Sequence, residues 1–252
     1  FAIQREPEWV IRDLAEALDA GDMDAARAVQ GVCSRKDDGE FIKNRRYPYI
    51  EDLDVLPPLN VDLLPKDVDY FNPIVKNLPY ITVSSSHGCP AKCNYCTAPF
   101  FHGTRTRFQS ADKVVADIEF YLSKGIKEIY YRDETFTANK QRVMDICASI
   151  ESKGLKFSWI CNARVDTVDY EMLKAMHSAG CHLIKFGAES GNQKVLDAIK
   201  KGITIEETRA AFKACNDIGI ATHAHFMVGM PEETYETMED TINLALEVEP
   251  TT

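Results

Sequence analysis

Three cysteines with metal-ligand spacing lie close together, because Cys89, Cys93 and Cys96 follow one another as Cys-x3-Cys-x2-Cys. Thiolates are soft ligands that bind iron–sulfur clusters, zinc or cuprous copper. A cubane [4Fe–4S] cluster needs one ligand for each of its four irons. Three thiolates with no fourth cysteine nearby would leave one iron open to a cofactor or substrate. The alternative is a zinc site in which His87 or His102 supplies the fourth ligand.

The same loop resembles the signature of radical S-adenosylmethionine (radical SAM) enzymes, in which an aromatic residue, here Tyr95, precedes the last cysteine. The resemblance implies a [4Fe–4S] cluster on Cys89, Cys93 and Cys96, with SAM at the open iron. It also implies reductive cleavage of SAM to a 5′-deoxyadenosyl radical, with the electron supplied by a reductant protein of the flavodoxin or ferredoxin type. The resemblance extends over residues 80–252.

Composition excludes several other classes of protein. The chain has 252 residues, a net charge of −10 and 45% hydrophobic residues, which suffices for one large α/β domain or two small ones. The acidic balance argues against a nucleic-acid partner. No stretch approaches the roughly 20 apolar residues that span a bilayer, and no signal peptide is visible, so we expect no membrane contact.

The use of cysteine indicates the compartment. Eight cysteines without a secretory signal fit a reducing environment, so we expect a cytoplasmic protein. Five cysteines lie outside the loop and are interpreted as small apolar residues: Cys33, Cys147, Cys161, Cys181 and Cys215.

The elements that position the cysteine loop repeat from Tyr80 onward as a strand, a loop and a helix closed by glycine. Because strands that alternate with helices pair in parallel through right-handed crossovers, we predict an α/β fold. Its architecture is a partial (β/α) barrel of the radical SAM type, related to the TIM barrel, with the chemistry at the carboxyl ends of the strands. The predicted strands are 80–84, 126–132, 155–163, 181–187 and 220–228, with a sixth beginning at 250–252. The predicted helices are 111–124, 139–153, 169–179, 192–201, one opened by the capping box Thr204-x-x-Glu207, and 235–247.

The earlier part of the chain does not follow this repeat. Residues 9–20 have helical spacing, whereas residues 31–78 are rich in Asp and Pro and show no periodicity. We therefore expect an irregular linker with one helix before the barrel. The predicted domains are residues 1–78, a linker and remnant of a preceding domain of the cobalamin-binding type, and residues 79–252, a C-terminally truncated radical SAM core. The chain is thus expected to be a piece of a longer protein.

Alternation along the predicted strands sorts their side chains into two faces. One face is apolar and would pack on the helices. In the second strand the pattern leaves the face undecided. The opposite face of the later strands would line the barrel lumen with polar side chains, which indicates a cavity for a charged molecule: Asn162, Arg164, Lys185, Glu189, His223 and His225. Four of these are candidate substrate contacts: Asn162, Lys185, His223 and His225. For the two histidines, a role as cavity wall is the alternative.

The strand ends supply the candidate SAM contacts. The resemblance places Arg164, Glu189 and Gly229 at SAM and the backbone of Tyr95 at its adenine. A carboxylate such as Glu189 can accept both ribose hydroxyls, and an arginine can clamp a carboxylate. For Arg164 an ion pair with Asp166 is the alternative.

Two further residues complete the candidate SAM site. Ser190 follows Glu189 directly in the sequence. Glu134 lies in Asp133-Glu134-Thr135, which stands where the family has a glycine-rich motif, and is the candidate for the SAM amino group. The alternative for this segment is a helix cap with solvated charge.

Segments 133–137, 187–191 and 229–234 together resemble the cobalamin-binding branch of the family, and segments 5–8 and 52–57 resemble its joining region. This resemblance implies cobalamin in the full-length protein and C-methylation or ring formation on a small-molecule or peptide substrate. A tRNA methylthiotransferase-like enzyme is an alternative, although the chain lacks a second cysteine trio. A non-catalytic zinc or iron–sulfur module is the other alternative.

Overall fold

The computed structural model describes residues 1–65, 67–68 and 70–252, so Lys66 and Asp69 of the predicted linker lie outside the described residues. Within this part of the chain no helix has the length and apolar character needed to cross a bilayer. The described residues form two compact units. The first comprises Phe1–Asp52, Gly88–Pro90 and Thr97–Arg107; the second comprises Leu53–His87, Ala91–Cys96 and Phe108–Thr252.

The first unit contains a small antiparallel sheet of order β1-β2-β3 and three helices. Its strands are β1 (Ala2–Ile3), β2 (Val32–Arg35) and β3 (Phe41–Lys43), and its helices are α1 (Glu8–Asp19), α2 (Met23–Ala28) and α3 (Ala98–His102). Ile3 pairs with Val32, and Ser34 pairs with Ile42. The expectation of an irregular chain over residues 31–78 is therefore wrong for β2 and β3. Strands of two to four residues are too short to show a period-2 pattern.

The second unit has the predicted α/β organisation. Its strands are β4 (Tyr80–Val83), β5 (Ser86–His87), β6 (Arg107–Phe108, which begins one residue before the unit), β7 (Glu128–Tyr131), β8 (Ser158–Ala163), β9 (Cys181–Glu189) and β10 (Ala221–Phe226). Its helices are α4 (Ala111–Ser123), α5 (Lys140–Ser152), α6 (Tyr170–Ser178), α7 (Gln193–Ala198), α8 (Ile205–Ile218) and α9 (Tyr235–Val248). The main sheet is parallel in the order β4-β7-β8-β9-β10. Because sheet neighbours follow chain order, the sheet winds in one direction, as a partial (β/α) barrel does.

Helix boundaries follow local signals in the sequence. Ser110 caps α4 by accepting a hydrogen bond from the Lys113 backbone N–H, and Thr204 and Glu207 form the predicted capping box of α8. The last residues extend the sheet beyond β10, since the Thr251 N–H donates to the Thr222 carbonyl at 2.9 Å. This bond agrees with the expected start of a sixth strand.

The two faces of the main sheet differ as alternation predicted. The helix face is apolar and includes Trp159 and Phe186, both at most 1% exposed. Tyr131 also packs on the helix face and Tyr130 on the opposite one, which settles the face of β7. The lumen face is not polar throughout. Part of this face is a small buried apolar cluster. It consists of Tyr130, Ile160 and Leu183, which pack against Ile74, Val75 and Ala221.

Candidate active site

The cysteine loop follows β4, at the carboxyl edge of the sheet. Cys89, Cys93 and Cys96 are half-buried, whereas the five other cysteines are buried, and none of these eight described cysteines forms a disulfide. Within the second unit, Asn94 anchors the loop by donating its backbone N–H to the Ile199 carbonyl at 3.1 Å. The thiols of Cys93 and Cys96 are therefore presented on an ordered turn.

The start of the loop requires a glycine. Gly88 has a φ of +94°, and a Cβ there would lie 2.3 Å from the Arg105 carbonyl oxygen. The neighbouring Cys89 N–H donates to the Gly103 carbonyl at 3.2 Å. A side chain at position 88 would displace the chain that holds Cys89, because the left-handed conformation and the close backbone contact both select glycine.

A buried carboxylate anchors the backbone that leads into this loop. Asp133 is fully buried and accepts hydrogen bonds from the Ser85 N–H at 2.7 Å, the Ser85 hydroxyl at 2.8 Å and the Ser86 hydroxyl at 2.6 Å. Arg142 donates to the Ser85 carbonyl and hydroxyl from the other side. Within the Asp133-Glu134-Thr135 motif, Asp133 is thus the residue that ties β7 to β4, while Glu134 is half-buried beside it.

We expect Asp133→Asn to lower the free energy of unfolding by about 2–3 kcal/mol, because hydrogen bonds to a charged group are lost and an amide N–H faces donors. Urea unfolding measures this change. Asp145→Asn is the matched control, since Asp145 is exposed and accepts a hydrogen bond from Gln141 on its own helix. Equal stabilities of the two variants would contradict the anchoring role.

A buried ion pair lies at the carboxyl end of β9. Lys201 Nζ donates to Glu189 Oε1 at 2.7 Å, and both side chains are 8% exposed. The Tyr95 hydroxyl lies 3.5 Å from Lys201 Nζ. Burial and, after it, the Glu189 charge raise the pKa of the Tyr95 phenol far above its usual value. Tyr95 therefore stays neutral beside the ion pair.

The backbone at this position is adapted to the ion pair. A Cβ on Gly187 would lie 2.3 Å from Glu189 Oε1 and 2.7 Å from Lys201 Nζ, so the pair occupies the space above this glycine. Glu189 itself has a φ of +66°, a left-handed conformation that is uncommon outside glycine. Such backbone strain concentrates at functional sites.

Lys201 was not among the residues that the sequence singled out. It precedes Gly202 and the capping box of α8, and nothing in its local sequence distinguishes it from a solvated lysine. Only the fold brings it to Glu189, twelve residues earlier in the chain.

Arg164 adopts the alternative arrangement considered for it. Its Nε and Nη2 donate to the two carboxylate oxygens of Asp166 at 2.8 and 2.9 Å, and Nη2 also donates to the Lys201 carbonyl at 2.9 Å. The guanidinium therefore holds the backbone of the residue that pairs with Glu189. A direct contact between Arg164 and SAM stays a prediction.

The remaining candidates at the strand ends differ in burial. Ser190 is fully buried, and its hydroxyl lies 3.1 Å from that of Thr241 in α9. Gly229 is exposed, and its N–H donates to Glu233. Both follow strands at the carboxyl edge of the sheet, and a contact of either with SAM stays a prediction.

The four candidate substrate residues lie on the lumen side of the sheet. Lys185 pairs in register with Asn162 on one side and His223 on the other. Asn162 accepts a hydrogen bond from the Tyr130 hydroxyl at 3.0 Å and donates to the Asp133 carbonyl at 3.0 Å. The His223 and His225 rings form a T-shaped pair with centroids 4.6 Å apart. Asn162 thus also has a structural role.

The buried cysteines gather in the core of the second unit. Cys181 lies next to Cys161. It is also close enough to Cys147 and Cys215 to raise the pKa of both thiols. Burial raises the pKa of the Cys147 and Cys215 thiols to about 12. These thiols therefore stay protonated and unreactive at neutral pH, in agreement with their interpretation as apolar residues.

Comparison with known proteins gives consistent matches. A sequence model described as the Radical SAM superfamily matches residues 83–245. An uncharacterised methyltransferase of Pyrococcus horikoshii is 34% identical over 246 residues, which cover 96% of this chain and 52% of that protein. An anaerobic magnesium-protoporphyrin IX monomethyl ester cyclase of Rubrivivax gelatinosus is 30% identical over 98% of this chain and 45% of its own. The structure of the methyltransferase TsrM from Kitasatospora setae, with cobalamin and a [4Fe–4S] cluster bound, has a TM-score of 0.77 at 20% identity, over 99% of this chain and 51% of that one. The chain therefore spans about half the length of these relatives.

Proposed function

The chain belongs to the radical SAM superfamily, and on that premise we propose that Cys89, Cys93 and Cys96 hold a [4Fe–4S] cluster at which SAM is reductively cleaved. The observation that carries this proposal is the contrast among the cysteines. Five are buried in apolar surroundings, and the three with the family spacing are half-exposed on the loop after β4. Three soft donors of this kind fit an iron–sulfur cluster with one open iron.

A cluster held by Cys89, Cys93 and Cys96 would supply the electron for reductive cleavage of SAM. Glu189 would accept hydrogen bonds from the ribose hydroxyls, while Lys201, with Tyr95 beside it, would hold the Glu189 carboxylate in place. Arg164 would position Lys201 by donating to its carbonyl, and Gly229 would admit SAM close to the backbone.

We further propose that the full-length protein uses cobalamin and carries out C-methylation or ring formation. Similar proteins are named a methyltransferase and a cyclase, and TsrM binds cobalamin together with its cluster. The substrate would be a small molecule or a peptide, and a flavodoxin- or ferredoxin-type protein would deliver the electron. The relatives are about twice as long as this chain, which leaves room for a cobalamin domain.

The domain boundary at residues 78 and 79 is part of the same proposal. Residues 79–252 would form the radical SAM core, and residues 1–78 would join it to the cobalamin domain. The two compact units have different boundaries, because Gly88–Pro90 and Thr97–Arg107 belong to the same unit as Phe1–Asp52. The proposed boundary is therefore one of function, which deletion variants of the full-length protein can locate.

Anaerobic purification of the full-length gene product tests the cobalamin proposal. We expect about one equivalent of cobalamin and about four iron atoms per chain, as one cobalamin domain and one cubane require. About eight iron atoms without cobalamin would instead indicate a second cluster, and a methylthiotransferase-like activity would then replace the proposed one.

A further inference from the structure

The lumen side of the second unit carries two cations that lie over one aromatic ring. The Arg132 guanidinium is 5.4 Å from the centroid of the Tyr130 ring, and Lys185 Nζ is 5.5 Å from it. Over the described ranges, neither cation forms an ion pair with a carboxylate. Lys185 is half-buried and Arg132 is exposed, so both remain accessible.

The positive charge on this face exceeds the negative charge. Arg132, Lys185 and Lys201 all lower the pKa of His225, after the larger effect of burial, and Glu189 raises it. Glu189 is already paired with Lys201, so among the described residues it does not neutralise Arg132 or Lys185. This local excess of positive charge contrasts with the net charge of −10 of the whole chain.

Polar donors surround the two cations. Asn162, Lys185 and His223 form one row across neighbouring strands, and His225 lies one row further toward the carboxyl edge, beside Gly187. Burial, and after it His225 and Lys185, lower the pKa of His223 as well, so both imidazoles are neutral at pH 7. His223 Nδ1 lies 2.7 Å from the Thr252 hydroxyl, so one ring nitrogen of His223 already has a partner. The surface therefore carries several polar groups beside the two cations.

The surface is also held in a fixed position. The Tyr130 ring beneath the cations is 2% exposed and packs against Ile160 and Leu183, while its hydroxyl donates to Asn162. Arg132 follows β7 directly, and its N–H donates to the Val83 carbonyl at 2.7 Å. Both cations lie within 5.5 Å of the same ring centroid, so their like charges repel each other and a bound anion would offset that repulsion.

We propose that Arg132, Lys185, His223 and His225 bind an oxyanion of the substrate, either a carboxylate or a phosphoryl group. This inference rests on the proposed function, since it names the substrate class of the same lumen. An arginine fork with a lysine ammonium suits both groups, and neutral imidazole N–H donors add hydrogen bonds. The anion would compensate Arg132 and Lys185, for which the described part of the chain shows no carboxylate partner.

Ring NMR signals of His223 and His225 report on this surface independently of activity. The chain, with its cluster reconstituted anaerobically, is titrated with inorganic phosphate and, separately, with acetate at an ionic strength fixed by sodium chloride. We expect saturable shifts of both rings. Tighter binding of phosphate would indicate a phosphoryl substrate, and tighter binding of acetate would indicate a carboxylate substrate.

Two substitutions distinguish anion binding at this surface from a general effect of the net charge of the chain. Lys185→Met keeps the aliphatic stem over Tyr130 and removes the ammonium, so anion affinity should fall about tenfold, the scale of one charge-assisted hydrogen bond. Lys194→Met changes the net charge equally at an exposed position of α7 and should leave the affinity unchanged. Arg132→Met is a second variant and should weaken binding as Lys185→Met does. Absence of saturable shifts, or equal affinities of Lys185→Met and Lys194→Met, would overturn the proposal.

SAM carries a carboxylate of its own, so the titration is repeated with SAM present. We expect phosphate or acetate to bind beside SAM with unchanged affinity. If SAM abolishes anion binding and Lys185→Met weakens SAM by the same factor, the surface serves the SAM carboxylate and the substrate proposal is wrong. Cleavage of SAM by the wild-type sample is assayed in parallel, so that a failure of the proposed function is seen separately from a failure of anion binding.

Discussion

Cys93→Ala is expected to abolish the cluster and with it all cleavage of SAM. A cubane with one open iron has only three protein ligands, and removing one leaves two irons without a thiolate. After anaerobic reconstitution the variant should lack the broad visible absorption of a thiolate-bound cluster and retain almost no iron. Iron analysis and visible spectroscopy measure both losses.

The chain offers a matched control for this experiment. Cys147→Ala removes a thiol that is buried in the core, where its pKa of about 12 keeps it protonated. This variant should keep its iron and its spectrum, although the small cavity should lower its stability. A cluster that survives in Cys93→Ala, or that is lost equally in Cys147→Ala, would contradict the assignment of ligands.

Glu189→Gln is expected to weaken SAM binding by roughly tenfold to a hundredfold, because hydrogen bonds from the ribose hydroxyls to a charged acceptor contribute about 1.5–3 kcal/mol. Equilibrium dialysis of the reconstituted chain with SAM measures the change. The substitution also leaves the Lys201 ammonium buried without a counter-charge, so a loss of stability must be separated from a loss of contact with SAM.

A double-variant cycle with Lys201→Met makes this separation. Breaking one side of a buried pair costs about 3–5 kcal/mol, whereas removing both charges costs far less. The double variant should thus unfold nearly as the wild type does, yet bind SAM as weakly as Glu189→Gln. Glu247→Gln, in the exposed pair with Arg209, is the surface control and should change neither property. Recovery of SAM affinity in the double variant would show that Glu189 acts only through stability.

The parallel sheet could be predicted from sequence because its signals are local. Strands such as Cys181–Glu189 alternate over enough residues to show both faces, and glycines and caps close the helices between them. The winding of the sheet followed from this alternation of strands and helices. The cysteine loop was recognisable for the same reason, since all its ligands lie within eight residues.

The parts that sequence did not predict depend on distant partners. The antiparallel sheet of the first unit pairs residues near position 2 with residues near position 33, through strands too short to show a period. Lys201 becomes a site residue only because the loop after α7 brings it to Glu189. The Asp133 segment was predicted to contact the SAM amino group, with a helix cap and solvated charge as the alternative, and neither interpretation predicted the bonds of Asp133 to Ser85 and Ser86.

Cleavage of SAM by this chain at a [4Fe–4S] cluster is measured by product analysis after one anaerobic incubation. The reconstituted chain is mixed with SAM and dithionite, and 5′-deoxyadenosine and methionine are quantified. We expect equal amounts of both products in the wild type and neither in Cys93→Ala. A wild-type chain that takes up stoichiometric zinc without iron, or that binds about four iron atoms and SAM yet releases no 5′-deoxyadenosine, would contradict this expectation.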